Sequence, residues 1–167
     1  MRSVLTLDSR SLDETQRIGM LLGKLVQRGD VILLHGTLGA GKTAFAQGLG
    51  AGLGVTGTIN SPTFTILKEY HGRLPLYHFD LYRIEEPEEL VSLGFEDYFD
   101  GDGVCVVEWA ERGEADGQGL VWPEDYVRIR FEIASPEERT LHISADGMRG
   151  DELLSELANV TEKQEGA

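Results

Sequence analysis

A single cysteine, Cys105, leaves this chain without a partner for an intramolecular disulfide. That excludes the disulfide-stapled class of small extracellular domains and suits a reducing compartment, with the thiol serving as a small buried hydrophobe. Positive charge is also scarce: 15 lysines and arginines face 29 aspartates and glutamates, a formal net charge of -14. Non-specific nucleic-acid affinity depends on cations that displace counterions from phosphates, so autonomous binding of RNA or DNA is disfavoured and any such link runs through a partner protein. Long apolar runs are missing too. No stretch approaches the roughly 20 residues that span a bilayer, and Met1 to Arg10 is polar where a signal peptide needs an apolar run. The expectation is a cytoplasmic protein with no membrane partner.

What is present is ordinary globular material, 41% hydrophobic and 26% charged, which argues against disorder or a fibrous repeat. A chain of 167 residues suits one domain that buries roughly two-thirds of its unfolded surface. We expect a single domain over residues 1–160 and a flexible tail over 161–167. Val4 to Leu7 reads as a strand. Ser11 and Glu14 form a capping box before the helical face Ile18, Leu21, Leu22, Leu25 and Val26. Val31 to Leu34 is a continuous apolar run, the pattern of a strand buried on both faces. Thr43 to Leu53 reads as a helix that ends early because Gly48, Gly50 and Gly52 interrupt it.

Thr65 to Tyr70 and Leu74 to Asp80 read as a hairpin, Glu88 to Leu93 as a short helix after Pro87, and Val104 to Val107 as another buried strand. Alternation at Val127, Ile129, Phe131 and Ile133, then at Leu141 and Ile143, predicts an antiparallel pair. Asp151 to Val160 suits a final helix.

Gly36-Thr37-Leu38-Gly39-Ala40-Gly41-Lys42-Thr43 has a glycine, four residues, then glycine, lysine and threonine. Glycines let the backbone turn with its N–H groups inward, making a nest for phosphate at the positive end of the next helix. Gly39, Ala40, Gly41 and Ala44 supply backbone donors, Lys42 a charge for β- and γ-phosphates, and Thr43 a hydroxyl for Mg²⁺. The preceding buried strand and following helix are the setting this loop requires, which points to ATP with Mg²⁺. A magnesium ion held there needs a carboxylate from a neighbouring strand end. Glu108 and Asp80 each close an apolar strand, where α/β sheets gather ligands. Either could hold the metal or its waters, or orient an attacking water; the blander alternative for each alone is a helix-capping or solvated carboxylate. Ser61-Pro62-Thr63-Phe64 could sense the γ-phosphate through Thr63, or be an ordinary proline turn. The four histidines lack the spacing of a metal cluster and read as structural or solvated.

His35 to Thr43, Ser61-Pro62-Thr63-Phe64, His78-Phe79-Asp80-Leu81-Tyr82-Arg83 and Glu108-Trp109, in this order, resemble the TsaE (YjeE) family, small ATPases of tRNA threonylcarbamoyladenosine (t6A) modification. The resemblance implies an α/β P-loop NTPase fold in three layers, with a mainly parallel central sheet and antiparallel strands at its margins. It implies weak ATP hydrolysis engaged by docking on TsaB and TsaD, with tRNA met only through the complex. By position it makes Lys42, Thr63, Asp80 and Glu108 the catalytic set, and Thr43 and Glu108 the metal ligands. Trp109 matches a functional tryptophan of underived role. The turn near Ser11 and the hairpin around Arg139 are weakly marked for adenine. A small-molecule kinase and a non-hydrolysing nucleotide-dependent binding module are the alternatives.

Overall fold

The structure, a computed structural model, describes residues 3–60, 66–115, 118–119 and 121–165. In chain order the elements are β1 (Ser3–Ser9), α1 (Leu12–Leu25), β2 (Val31–His35), α2 (Lys42–Gly52), β3 (Leu67–His71), β4 (Pro75–Asp80), α3 (Glu88–Ser92), α4 (Glu96–Phe99) and β5 (Val104–Glu108). A 3-10 turn at Ala110–Gly113 follows, then β6 (Glu114–Ala115), β7 (Gln118–Gly119), β8 (Tyr126–Ile133), β9 (Arg139–Asp146) and α5 (Gly147–Glu165).

Seven strands form one sheet in the order β1-β9-β8-β2-β5-β4-β3. The inner four run parallel, β2 between β8 and β5 and β4 beyond β5. Antiparallel strands close both margins, β9 and β1 on one side and β3 on the other. The apolar run of β2 is explained by burial on two faces. Ile32 and Leu34 join a core with residues of α1, α2 and α5, including Leu22, Phe45, Leu49 and Leu157. Val31 and Leu33 face the opposite core, with Phe79, Leu90, Phe95 and Phe99. The result is a three-layer α/β architecture.

Ser11 caps α1 by accepting from the Glu14 amide at 3.2 Å, while the Glu14 carboxylate reaches back to the Arg10 amide at 3.4 Å. The capping box closes one residue earlier than its usual form. Helix α2 does not end early. Its glycines are packing sites: an ideal Cβ on Gly48 would stand 2.0 Å from the Gln16 carbonyl oxygen, and one on Gly52 would stand 2.3 Å from that of Met20. Gly19 and Gly23 on α1 answer them, each with a Cβ position 2.3 Å from a carbonyl oxygen of α2. The two helices therefore lie backbone against backbone.

Two further expectations are corrected. The last helix begins at Gly147 and continues through Glu165, so the tail expected from Thr161 onward is helical as far as that residue. Thr161 is buried, and its hydroxyl donates to the Leu157 carbonyl at 2.9 Å. Arg149 fastens this helix to the turn before β2 through a two-pronged pair with Asp30, at 2.9 and 2.8 Å. Short elements α4, the 3-10 turn, β6 and β7 had no signal in the periodicity.

Candidate functional site

Strand β2 is buried along its whole length and delivers the chain to Gly36 at the carboxyl edge of the sheet. Gly39 at φ 79° and Gly41 at φ 107° are left-handed turns that a side chain would strain. No atom stands within 4 Å of where a Cβ on Gly39 would be, so the loop is open there. Gly41 provides no side-chain cap for α2, whose first helical bond runs from the Phe45 amide to the Gly41 carbonyl at 2.9 Å. The amides of Lys42 and Ala44 precede that bond and have no acceptor within the helix, which is the arrangement that binds anions.

Lys42 is 5% exposed. Its ammonium donates to the carbonyls of Gly36 and, at 3.0 Å, Thr37, and lies 3.8 Å from the centre of the Trp109 ring. Burial lowers its pKa, and the negative charges of Glu111, Glu108 and Asp80 act against that fall. The Thr43 hydroxyl donates to Glu108 Oε1 at 2.9 Å. Glu108 is buried, and its Oε2 is 2.5 Å from Nε2 of fully buried His78. A carboxylate only accepts, so Nε2 carries the proton and the imidazole fixes the rotation of Glu108. His78, expected to be structural, thus supports a site residue.

Asp80 pairs in register with Glu108 across β4 and β5, which sets both carboxylates at one edge of the sheet. Asp80 Oδ1 accepts from the Tyr82 amide at 3.0 Å. Trp109 is the one described non-glycine residue with positive φ, at 57°. Left-handed backbone costs a residue of this type about 1–2 kcal/mol, and the turn lays its ring over Lys42 and 5.0 Å from that of Tyr82.

The structure therefore brings together Lys42, Thr43, Asp80 and Glu108, with Gly39, Ala40, Gly41 and Ala44 in the adjoining loop. Thr63, with Ser61, Pro62 and Phe64, lies outside the described residues. Ser11 is engaged as the cap of α1, and Arg139 turns to the carbonyls of Gly39 and Ala40, at 3.0 and 3.2 Å.

Sequence reasoning missed two acids beneath the loop. Glu111 accepts from the Gly36 amide at 3.0 Å. Glu114 accepts at 2.8 Å from Trp122 and at 2.7 Å from Arg128, and its other oxygen lies 2.8 Å from His35 Nε2. Burial raises the Glu114 pKa, but the hydrogen bonds and positive charges of these partners outweigh it and hold the carboxyl below its ordinary range. Only proximity to the end of β5 hints at either role.

The family model for Threonylcarbamoyl adenosine biosynthesis protein TsaE matches residues 9–141. The chain is 45% identical over 147 residues to the tRNA threonylcarbamoyladenosine biosynthesis protein TsaE of Bacillus subtilis, covering 87% of this chain and 89% of that one. It is 42% identical over 136 residues to the protein of the same name from Treponema pallidum, covering 81% and 97%. The crystal structure of Bacillus subtilis YdiB superposes with a TM-score of 0.79 at 38% identity, over 96% of this chain and 98% of that one. No helix among the described residues is long and apolar enough to cross a membrane.

Proposed function

The chain belongs to the TsaE family of threonylcarbamoyladenosine biosynthesis, and from that premise we propose that it binds ATP with Mg²⁺ in the loop Gly36 to Thr43 and hydrolyses it weakly. The observation that carries this reading is the 2.9 Å bond between the Thr43 hydroxyl and the Glu108 carboxylate, one residue along from a lysine buried in the loop. Two hard oxygen donors are few for a cation on their own. They suit magnesium, which keeps several waters and takes its remaining ligands from phosphate oxygens. The bound ion neutralises charge on the β- and γ-phosphate oxygens.

The residues divide the work by position. The amides of Gly39, Gly41, Lys42, Thr43 and Ala44 meet phosphate oxygens at the positive end of α2, while that of Ala40 in the same loop donates to the Thr37 carbonyl at 3.1 Å and shapes the turn. Lys42 exchanges its loop carbonyls for a β- or γ-phosphate oxygen while Trp109 limits its access to water. Thr43 and Glu108 hold the metal, with His78 preventing Glu108 from turning away. Asp80, one strand over, orients the attacking water or a water of the metal. Thr63 reports on the γ-phosphate, a role taken from the family resemblance.

In this reading turnover is low in isolation and is completed by docking on TsaB and TsaD, and the net charge of -14 fits a protein that meets tRNA only through those partners. Location in the cytoplasm, where tRNA is modified, belongs to the same reading. The test is reconstitution of t6A formation with purified TsaB, TsaD and their substrates, comparing this chain with its Lys42→Ala and Glu108→Ala variants. Lys42→Ala is expected to abolish modification and nucleotide binding with the fold intact. Glu108→Ala is expected to lose magnesium-dependent hydrolysis more than nucleotide affinity. Full modification with Lys42→Ala would remove the assignment; a phosphorylated small-molecule acceptor would indicate a kinase, and binding without phosphate release a non-hydrolysing module.

A further inference from the structure

The geometry points to Arg139 as a positioning residue that holds the phosphate loop from behind. This rests on the nucleotide reading above. Arg139 opens β9, in register with Ser9 of β1 and Ile133 of β8, and is 7% exposed. Its guanidinium reaches across the fold: Nη2 donates to the Gly39 carbonyl at 3.0 Å and Nε to the Ala40 carbonyl at 3.2 Å. Nη1 donates to the carbonyls of Ser135, Pro136 and Glu138 in the turn between β8 and β9, at 2.9, 3.2 and 2.9 Å. Among the described residues it has no carboxylate partner.

Each of these facts bears on an anion. A loop that turns its amides inward turns carbonyls outward, and an outward carbonyl without a donor favours flipping of its peptide plane. Each such flip would replace an inward N–H with a C=O facing the phosphate. Arg139 satisfies the carbonyls of Gly39 and Ala40 together, which fixes the peptide plane that carries the Gly41 amide and the one whose Ala40 amide closes a turn on the Thr37 carbonyl at 3.1 Å. The rigid guanidinium fork does this with one side chain; a lysine ammonium, a point donor on a flexible stem, cannot span the same acceptors. A buried cation addressed only by carbonyl dipoles also adds positive potential behind the nest, where a phosphate would neutralise it.

The experiment measures MgADP affinity by calorimetry for the wild type, Arg139→Lys and Arg139→Met, with the melting temperature of each nucleotide-free protein as the measure of fold. Loss of a charge-assisted hydrogen bond shifts an equilibrium by about tenfold or more. We expect MgADP to bind Arg139→Met at least tenfold more weakly, and Arg139→Lys at least threefold more weakly, at a temperature where each is folded. A purely structural role would lower melting temperatures and leave the affinity of folded protein unchanged, and that outcome overturns the inference. Should Arg139→Met fail to fold, the lysine variant decides. A wild type that binds no MgADP would instead remove the nucleotide reading itself.

Discussion

Replacing Gly48 with alanine tests whether the glycines of α2 serve packing or merely weaken a helix. On intrinsic propensity alone the substitution should stabilise, since alanine is favoured over glycine within a helix by about 1 kcal/mol. The structure predicts the reverse. An ideal Cβ at this position lies 2.0 Å from the Gln16 carbonyl oxygen, 2.8 Å from its carbon and 3.0 Å from its Cα, whereas ordinary contact begins at 3.4 Å. Helix α1 would have to retreat by about 1.4 Å along that direction, and every obstructing atom is backbone, so no rotamer change relieves the clash. Overpacking of a fitted interior costs about 1–3 kcal/mol, and a rigid obstacle belongs at or above the upper end. After the gain in propensity, about 2 kcal/mol of destabilisation remains. For a chain of this size that lowers the melting temperature by roughly 4–8 °C. Because α2 begins with Lys42 and Thr43, the displacement is transmitted to the loop, and MgADP affinity should fall as well. Thermal unfolding followed by circular dichroism, with calorimetric titration on the folded variant, measures both. A melting temperature equal to or above the wild type would refute the packing account.

Other perturbations separate the remaining contributions. Trp109→Gly and Trp109→Ala lose the same contact with Lys42, but only glycine relieves the left-handed backbone, so the glycine variant should be the more stable of the two by about 1 kcal/mol in urea denaturation. Equal stability would mean the turn is unstrained. Glu114→Gln should cost about 2 kcal/mol near pH 7 by weakening a buried network. Because the folded carboxyl is held below its ordinary 4.5, its stabilisation is complete above that value and is lost as pH falls through the lower folded value. The difference between wild type and variant should therefore shrink in melts below about pH 4, and a gap constant from pH 7 to 3 would count against the assignment. Removal of magnesium should weaken nucleotide affinity as well as turnover, because Glu108, Glu111 and Asp80 all lie within electrostatic reach of Lys42 and would repel a bare polyphosphate. Equal ADP affinity with Mg²⁺ and with EDTA would contradict that charge balance.

Much of the site's front was legible because its signals are local. The loop is one contiguous motif, and an acid after four apolar residues marks a strand end whether or not its neighbours are known, which is how Glu108 and Asp80 were found. The antiparallel β3–β4 and β8–β9 pairs followed from the same runs and alternations, whereas the parallel centre came from the family resemblance. Local signals misled at α2, where Gly48 and Gly52 were read as weak helix formers although their reason lies in α1, at Gln16 and Met20. They also misled at the last helix, where nothing nearby shows that Thr161 is buried. Both α3 and α4 are too brief for a period; α3 was found from Pro87 before it, and α4 was missed.

The back of the loop was illegible for a different reason. Ala40 and Arg139 are 99 residues apart in the chain, and Gly36 and Glu111 are 75 apart. No spacing rule joins such pairs, because the sheet order, which sets β8 and then β9 on one side of β2 and β5 on the other, decides that they meet. The two sides of the loop nevertheless obey one constraint. A peptide plane has an N–H on one edge and a C=O on the other, so presenting amides to a phosphate obliges the scaffold to answer the carbonyls behind them. Arg139 answers those of Gly39 and Ala40, whereas Lys42, which answers those of Gly36 and Thr37, exchanges them for phosphate in the proposed complex. The donors that the motif leaves unnamed are thus as necessary to the nest as its glycines. A loop with the same eight residues but no cation behind Gly39 and Ala40 should bind phosphate less well, for reasons its own sequence does not contain.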